Sequence, residues 1–178
     1  MLLLLREGSH DVEFILTREV GVMIKMLEAA GLAVTSASAS GRTMGRHTVK
    51  LKPDLKLAEV RVADYSGIIL PSMAVGLTVP VQPKITEIVR KAVAGDSVVA
   101  VQHGSVVVLQ RAGVLKKKKY AFERRVFSEG VYAGTGVVRD GNLITSGTCP
   151  YLARETGRPD GTAELIRLVI ESIFRADG

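Results

Sequence analysis

Tryptophan is absent and aromatic residues make up only 4% of this chain, so its core must be built from Val, Ile, Leu and Ala. Such a core suits fully buried parallel strands flanked by helices. A single cysteine, Cys149, excludes an internal disulfide framework and fits a reducing cytoplasm. Three histidines with that lone cysteine show no metal-ligand spacing, so no metal is expected. No apolar run approaches ~18 residues, which leaves nothing to span a membrane. The opening Met1–Leu5 run stops at Arg6-Glu7 and lacks a basic n-region, so it reads as a first buried strand and not as a secretory signal. No glycine-rich phosphate loop precedes a helix at the required spacing, so no nucleotide and no other cofactor is expected.

What is present describes a globular protein. A hydrophobic fraction of 47% with 24% charge, over 178 residues, suffices for one domain with a substantial core, taken as residues 1–178. The net charge of +6 is spread along the chain, so nucleic acid is not an expected partner. The one basic run, Lys116 to Lys119, reads as a solvated turn between a helix and a strand, with polyanion binding as the alternative.

Strand-like and helix-like segments alternate. Strands are expected at Leu2–Leu5, Leu32–Ala37, Gly67–Leu70 and Val98–Gln102. Helices are expected over Thr17–Ala30, Pro83–Ala94 and Ser105–Ala112, with Gly31, Gly95 and Gly113 as their stops. Val20, Met23, Ile24 and Leu27 form the apolar face of the first helix. Residues 42–63 are mixed and basic and give no clear order beyond a turn at Pro53-Asp54. Arg139-Asp140-Gly141-Asn142 marks a tight turn between Val137-Val138 and Leu143-Ile144. A last helix starts near Thr162, its expected N-cap, and turns Leu165, Leu168, Val169 and Ile173 inward. Repeated βα units with short buried strands predict a doubly wound, mostly parallel sheet with helices on both faces, an α/β/α sandwich.

The stretch Val98-Val99-Ala100-Val101-Gln102-His103-Gly104-Ser105 has the outline of a nucleophile elbow, a sharp strand-to-helix turn that presents one side chain to an active site. Its expected tip is Gln102, and a carboxamide is not a nucleophile.

Asp64-Tyr65 leading into Gly67-Ile68-Ile69-Leu70-Pro71, then Val98 to Gly104 with Ala112-Gly113-Val114-Leu115, then Asp140-Gly141-Asn142-Leu143-Ile144-Thr145 follow one another in a particular order. In that order and separation the chain resembles the ThiJ/PfpI family, the intracellular-protease-I-like branch of the class I glutamine amidotransferase-like superfamily. The resemblance implies a flavodoxin-like fold and a homo-oligomer, a dimer or larger. It aligns Gln102 with the family's elbow cysteine and His103 and Gly104 with that cysteine's neighbours. It implies a glutamate beside the elbow, with Glu19 in the matching place and Glu13 as the alternative. After Pro71 the family has glycines that open backbone N–H groups to an oxyanion, whereas this chain has Ser72-Met73.

Two readings of function follow. In the first, the chain is non-catalytic and binds a small molecule or partner through a pocket of Gln102, His103, Glu19, Ser72, Met73 and Gly104. In the second, it is a divergent hydrolase or lyase, protease-, amidase- or glyoxalase-like, using Glu19, His103 or Cys149. Cys149 follows a late strand, at the sheet edge where α/β folds hold their ligand crevice; it is either a relocated nucleophile or redox thiol, or an inert buried cysteine. His103 is either a base or a packing residue. Glu19 is either a site carboxyl or a charge complementing the helix dipole. Tyr151, Arg154, Glu155 and Arg158 belong to a polar insertion that either rims the pocket or is simply solvated.

Overall fold

A computed structural model describes residues 1–9, 11–72 and 81–176. Seven strands form one sheet in the order β10-β11-β7-β6-β1-β2-β5. These are β1 (Leu2–Leu4), β2 (Thr35–Ser38), β5 (Leu55–Lys56), β6 (Gly67–Leu70), β7 (Val98–Gln102), β10 (Val137–Asp140) and β11 (Leu143–Ser146). Every neighbouring pair is parallel except β10 with β11, the antiparallel pair that closes the Asp-Gly turn. The central strands β1, β6, β7 and β11 are buried at every position, because helices cover both of their faces. This is the expected mostly parallel flavodoxin-like sheet.

The helices differ from expectation at their ends. The first begins at Val12 rather than Thr17 and continues as Val12–Ile15, a π-helical turn Leu16–Val20, and Gly21–Ala29. Ile15, Leu16, Val20, Met23 and Leu27 face the core, while Ile24 is only half-buried. A left-handed Gly31 ends this helix, with the Leu32 N–H closing onto the Leu27 carbonyl. That closure keeps Leu32–Val34 out of the sheet, and β2 starts only at Thr35. Pro83–Ala94 forms as expected and buries Ile85, Ile88, Val89 and Ala92. The last helix, Thr162–Ala176, turns Ile166 inward beside Leu165, Val169 and Ile173 and leaves Leu168 half-buried. Its first amide is capped by Asp160, whose Oδ1 accepts from the Thr162 N–H at 3.0 Å, so Thr162 is not the N-cap.

The basic segment 42–63 resolves into a hairpin, β3 (Met44–Arg46) with β4 (Val49–Leu51), then the edge strand β5 and two short 3-10 turns. A two-stranded parallel ladder, β8 (Lys119–Tyr120) with β9 (Val131–Tyr132), stands apart from the main sheet. Lys116 and Lys117 are exposed at the turn leading into β8, while Lys118 lies 3.8 Å from Asp140. Among the described residues no helix is long and apolar enough to cross a membrane.

Candidate functional site

Four adjacent strands, β1, β6, β7 and β11, run in the same direction, so their carboxyl ends open on one edge. The segments leaving β6, β7 and β11 carry Ser72, His103 and Cys149, and the first helix lays Glu19 against them.

The turn after β7 is an elbow. Its tip lies one residue later than the sequence suggests. Gln102 closes the strand in an extended conformation (φ −106°, ψ 131°), whereas His103 has φ 41°. A non-glycine residue held in the left-handed region is the strained position of such a turn. His103-Gly104-Ser105 form a 3-10 turn that leads into the helix Val106–Arg111, which is shorter than the expected Ser105–Ala112. Ser105 Oγ donates to the Pro71 carbonyl at 2.5 Å and ties the elbow to the end of β6. Gly104 is buried within the turn.

Gln102 lines no opening; it is fully buried, and both hydrogens of its Nε2 are spent internally. They go to the Thr148 carbonyl at 3.1 Å and to Thr162 Oγ1 at 2.7 Å. Its Oε1 is the one buried side-chain polar atom without a hydrogen-bond partner among the described residues. An unsatisfied buried acceptor costs about 1–3 kcal/mol, so a chain that retains this carboxamide retains it against a penalty.

The tip residue His103 faces Cys149. Its Nδ1 lies 3.4 Å from the Cys149 Sγ, and its Nε2 lies 3.5 Å from Oε2 of Glu123. The ring stacks on Phe122, with centroids 5.7 Å apart and planes 20° apart, which fixes its plane. Burial lowers the His103 pKa and Glu123 pulls the other way, with burial the larger effect. The imidazole is therefore neutral at pH 7. With its single hydrogen on Nε2, toward the carboxylate, Nδ1 is free to accept the thiol proton.

Cys149 sits at the N-cap of the helix Pro150–Thr156, and its Sγ accepts from the Leu152 N–H at 3.5 Å. The thiol is 1% exposed. Burial pushes its pKa up, and negative charge on Glu19 would push it further; the Ser72 side chain and the Leu152 and Tyr151 amides act in the opposite sense.

Glu19 belongs to the π-helical turn and is buried. The Ser72 N–H donates to its Oε1, and Ser72 Oγ donates to its Oε2 at 2.7 Å. Burial raises its pKa from 4.5 to about 8; the two Ser72 hydrogen bonds oppose the rise and nearby Asp160 adds to it. Glu19 is thus a neutral carboxylic acid at pH 7, and its repulsion of a Cys149 thiolate is absent until about pH 8. Ser72 places both of its donors on a carboxyl group here, not on a ligand oxyanion. Glu13 is half-buried in the preceding turn and has no part in this cluster. Met73 lies outside the described residues.

The structure therefore brings together Glu19, Ser72, His103 and Cys149, and adds Glu123, which sequence reasoning missed. Glu123 follows Phe122 in a segment without periodicity, and nothing in its local pattern marks it. In the polar insertion, Arg154 lies over the rings of Phe14 and Tyr151, 4.5 and 4.9 Å from their centroids, and pairs with Glu155 and Asp11. Arg158 donates to the Glu123 backbone carbonyl at 3.2 Å. Among the described residues no group of acidic, histidine or cysteine side chains could hold a metal ion.

The loop 157–161 presses onto this region. A Cβ at Gly161 would lie 2.2 Å from Ser146 Oγ and 3.1 Å from Thr148 Oγ1. Gly161→Ala is expected to displace Ser146 Oγ from the Thr148 carbonyl, which it now reaches at 2.8 Å. The expected loss is about 1–3 kcal/mol of stability, read as a lower midpoint in thermal unfolding. An unchanged midpoint would show that the loop yields freely.

Fold and site together define a flavodoxin-like α/β protein with a strand–elbow–helix turn at its carboxyl edge. The DJ-1/PfpI family pattern matches residues 1–155, and the chain belongs to that family. An uncharacterized protein of Archaeoglobus fulgidus is 29% identical over 126 residues, 67% of this chain and 75% of that protein. Among solved structures, the ThiJ/PfpI domain protein of Brachyspira murdochii matches with a TM-score of 0.72 at 15% identity, covering 98% of this chain and 95% of that one. Drosophila melanogaster DJ-1beta matches with a TM-score of 0.67 at 24% identity, covering 97% and 96%. These structural likenesses concern the fold.

Proposed function

We propose that this DJ-1/PfpI-family protein is a cysteine-dependent hydrolase or lyase whose nucleophile is Cys149, on the exit of β11, and not a residue of the elbow. The observation that carries the reading is the 3.4 Å approach of Cys149 Sγ to His103 Nδ1. In this reading His103 takes the thiol proton as general base, and Glu123 holds the imidazole in the tautomer that leaves Nδ1 open. With an ester the thiolate attacks the carbonyl carbon, and His103, now protonated, gives the proton to the departing alkoxide. Water deprotonated by His103 then releases the acyl group from sulfur as a carboxylic acid. With a 2-oxoaldehyde nothing departs, and the proton goes to the oxygen of the hemithioacetal. Glu19 stays neutral near pH 7 and so does not oppose the thiolate. The elbow's strained tip thus supplies the base, and the nucleophile comes from the neighbouring strand.

The test is turnover of activated esters and 2-oxoaldehydes by the purified protein. Activity that is lost in both Cys149→Ser and His103→Ala supports the reading; activity unchanged in Cys149→Ser overturns it. The 1% exposure of Cys149 favours a second reading, a non-catalytic pocket that binds a small molecule or partner. That reading predicts no turnover and slow alkylation of Cys149 that does not depend on His103. A homo-oligomer, dimeric or larger, and a cytoplasmic setting that keeps Cys149 reduced belong to the same proposal. Light scattering of the purified protein measures the first.

A further inference from the structure

We infer that Gln102 is a positioning residue for the Cys149–His103 pair, a bridge that holds two diverging chain segments at hydrogen-bonding distance. The inference rests on the thiol reading above and deepens it.

Gln102 and Ser146 are the last paired residues of the β7–β11 ladder. Beyond them the strands separate, β7 into the elbow that carries His103 and β11 toward Cys149. No main-chain ladder fixes the gap between the two reactive side chains. The Gln102 carboxamide spans it, since Nε2 donates to the Thr148 carbonyl, which belongs to the peptide joining Thr148 to Cys149. Ser146 Oγ donates to that same carbonyl at 2.8 Å, so the peptide before Cys149 is held from two sides.

Proton bookkeeping fixes the orientation of the amide. Thr162 Oγ1 has one hydrogen and gives it to Asp160 Oδ1 at 2.7 Å. Toward Gln102 it can only accept, and the Thr148 carbonyl can only accept as well. The position therefore needs one side-chain nitrogen with two hydrogens and a reach of two methylenes. A cysteine is too short and carries one hydrogen, and a glutamate presents acceptors to acceptors. Glutamine meets both demands and leaves Oε1 without a partner. The chain keeps that unpaired acceptor in exchange for the two donors.

The experiment is a pH titration of the thiolate absorbance near 240 nm. The signal is read as the difference between each protein and the same protein carrying Cys149→Ser, which subtracts the background of the four tyrosines. With one cysteine in the chain the difference belongs to Cys149 and needs no access by a reagent. The wild-type protein is compared with His103→Ala, Gln102→Met, Gln102→Glu and Thr162→Val, each checked for folding by circular dichroism and thermal melting. Expected is a wild-type midpoint clearly different from that of His103→Ala. Both Gln102 variants and Thr162→Val should move at least about half of the way toward His103→Ala. Gln102→Met is the deciding variant because it keeps the length, removes the donors and adds no charge that would itself move the thiolate midpoint, whereas Gln102→Glu keeps the shape and is read only beside it. Should one variant fail to fold, Thr162→Val tests the bridge from its other end. Folded Gln102 variants and Thr162→Val that titrate like the wild type, even with lowered melting midpoints, would overturn the inference and leave Gln102 a packing residue. Wild type and His103→Ala titrating alike would overturn the thiol reading itself, and this inference with it.

Discussion

Replacing Cys149 with serine is expected to lower turnover by at least about 10²-fold while leaving the melting midpoint within a few degrees of the wild type. The two side chains are nearly isosteric, and a hydroxyl accepts the Leu152 N–H as well as a thiol does, so the helix Pro150–Thr156 keeps its cap. What changes is the acid. A serine hydroxyl is far less acidic than a thiol and a poorer nucleophile at this distance, so removing its proton with the same imidazole is much more costly although the geometry survives. His103→Ala should cost a similar factor by removing the base. Because the two residues act on one proton, the double variant should be little worse than either single one. Additive losses would mean that the two residues serve separate steps. A Cys149→Ser protein as active as the wild type would return the site to a binding role.

The second large effect concerns Glu19 and stability. In the folded protein its proton is held up to about pH 8, while an ordinary glutamate gives it up near 4.5. Unfolding between these values therefore releases a proton, and stability must fall as the pH rises. The stabilisation is fully present below about pH 4.5 and is lost by about pH 8. Its size is on the order of 4 kcal/mol for a carboxyl this completely buried. Glu19→Gln carries no titrating group, keeps an acceptor for the Ser72 N–H, and lets the Ser72 hydroxyl rotate to accept from the amide. The variant should therefore gain on the wild type as the pH rises, with a melting midpoint on the order of 10 °C higher at pH 8 and above. Comparing the two proteins cancels the opposite trend from His103, whose lowered pKa adds stability with rising pH in both. Parallel melting curves from pH 5 to 9 would show that Glu19 does not titrate in this window.

The pattern of short apolar strands, helix stops and the Asp-Gly turn made the sheet legible, because burial on two faces leaves an unmistakable composition in β6 and β7. The helix at Pro83–Ala94 was equally plain from its stripe and its flanking Pro83 and Gly95. Less could be read where a contact depends on residues distant in sequence. The start of the first helix at Val12 precedes its apolar stripe, and the π-helical turn has no periodic signature. Glu19 stands four residues before Met23 and eight before Leu27, both buried. A carboxylate on that inward stripe was the available signal for a raised pKa. The tip of the elbow was misplaced by one residue because the apolar run stops before Gln102, while strand pairing runs through Gln102 itself and the left-handed turn falls on His103. Glu123 could not be found at all, since its only distinction is standing beside an imidazole twenty residues away.

The π-helical turn has one more consequence. A wide turn holds a surplus residue, so the parts of the first helix before and after it are out of phase by about 100° relative to an unbroken α-helix. Ile15 before the turn and Met23 and Leu27 after it meet the core with that offset in place. Removing one exposed residue, such as Thr17, takes away the surplus and lets the helix regularise with both halves still facing the core. Glu19 lies inside the turn, so its direction is the one that changes. The surplus residue thus sets where the acid beside the thiol points, and the chain could shed it with little cost to the core but not without moving that acid.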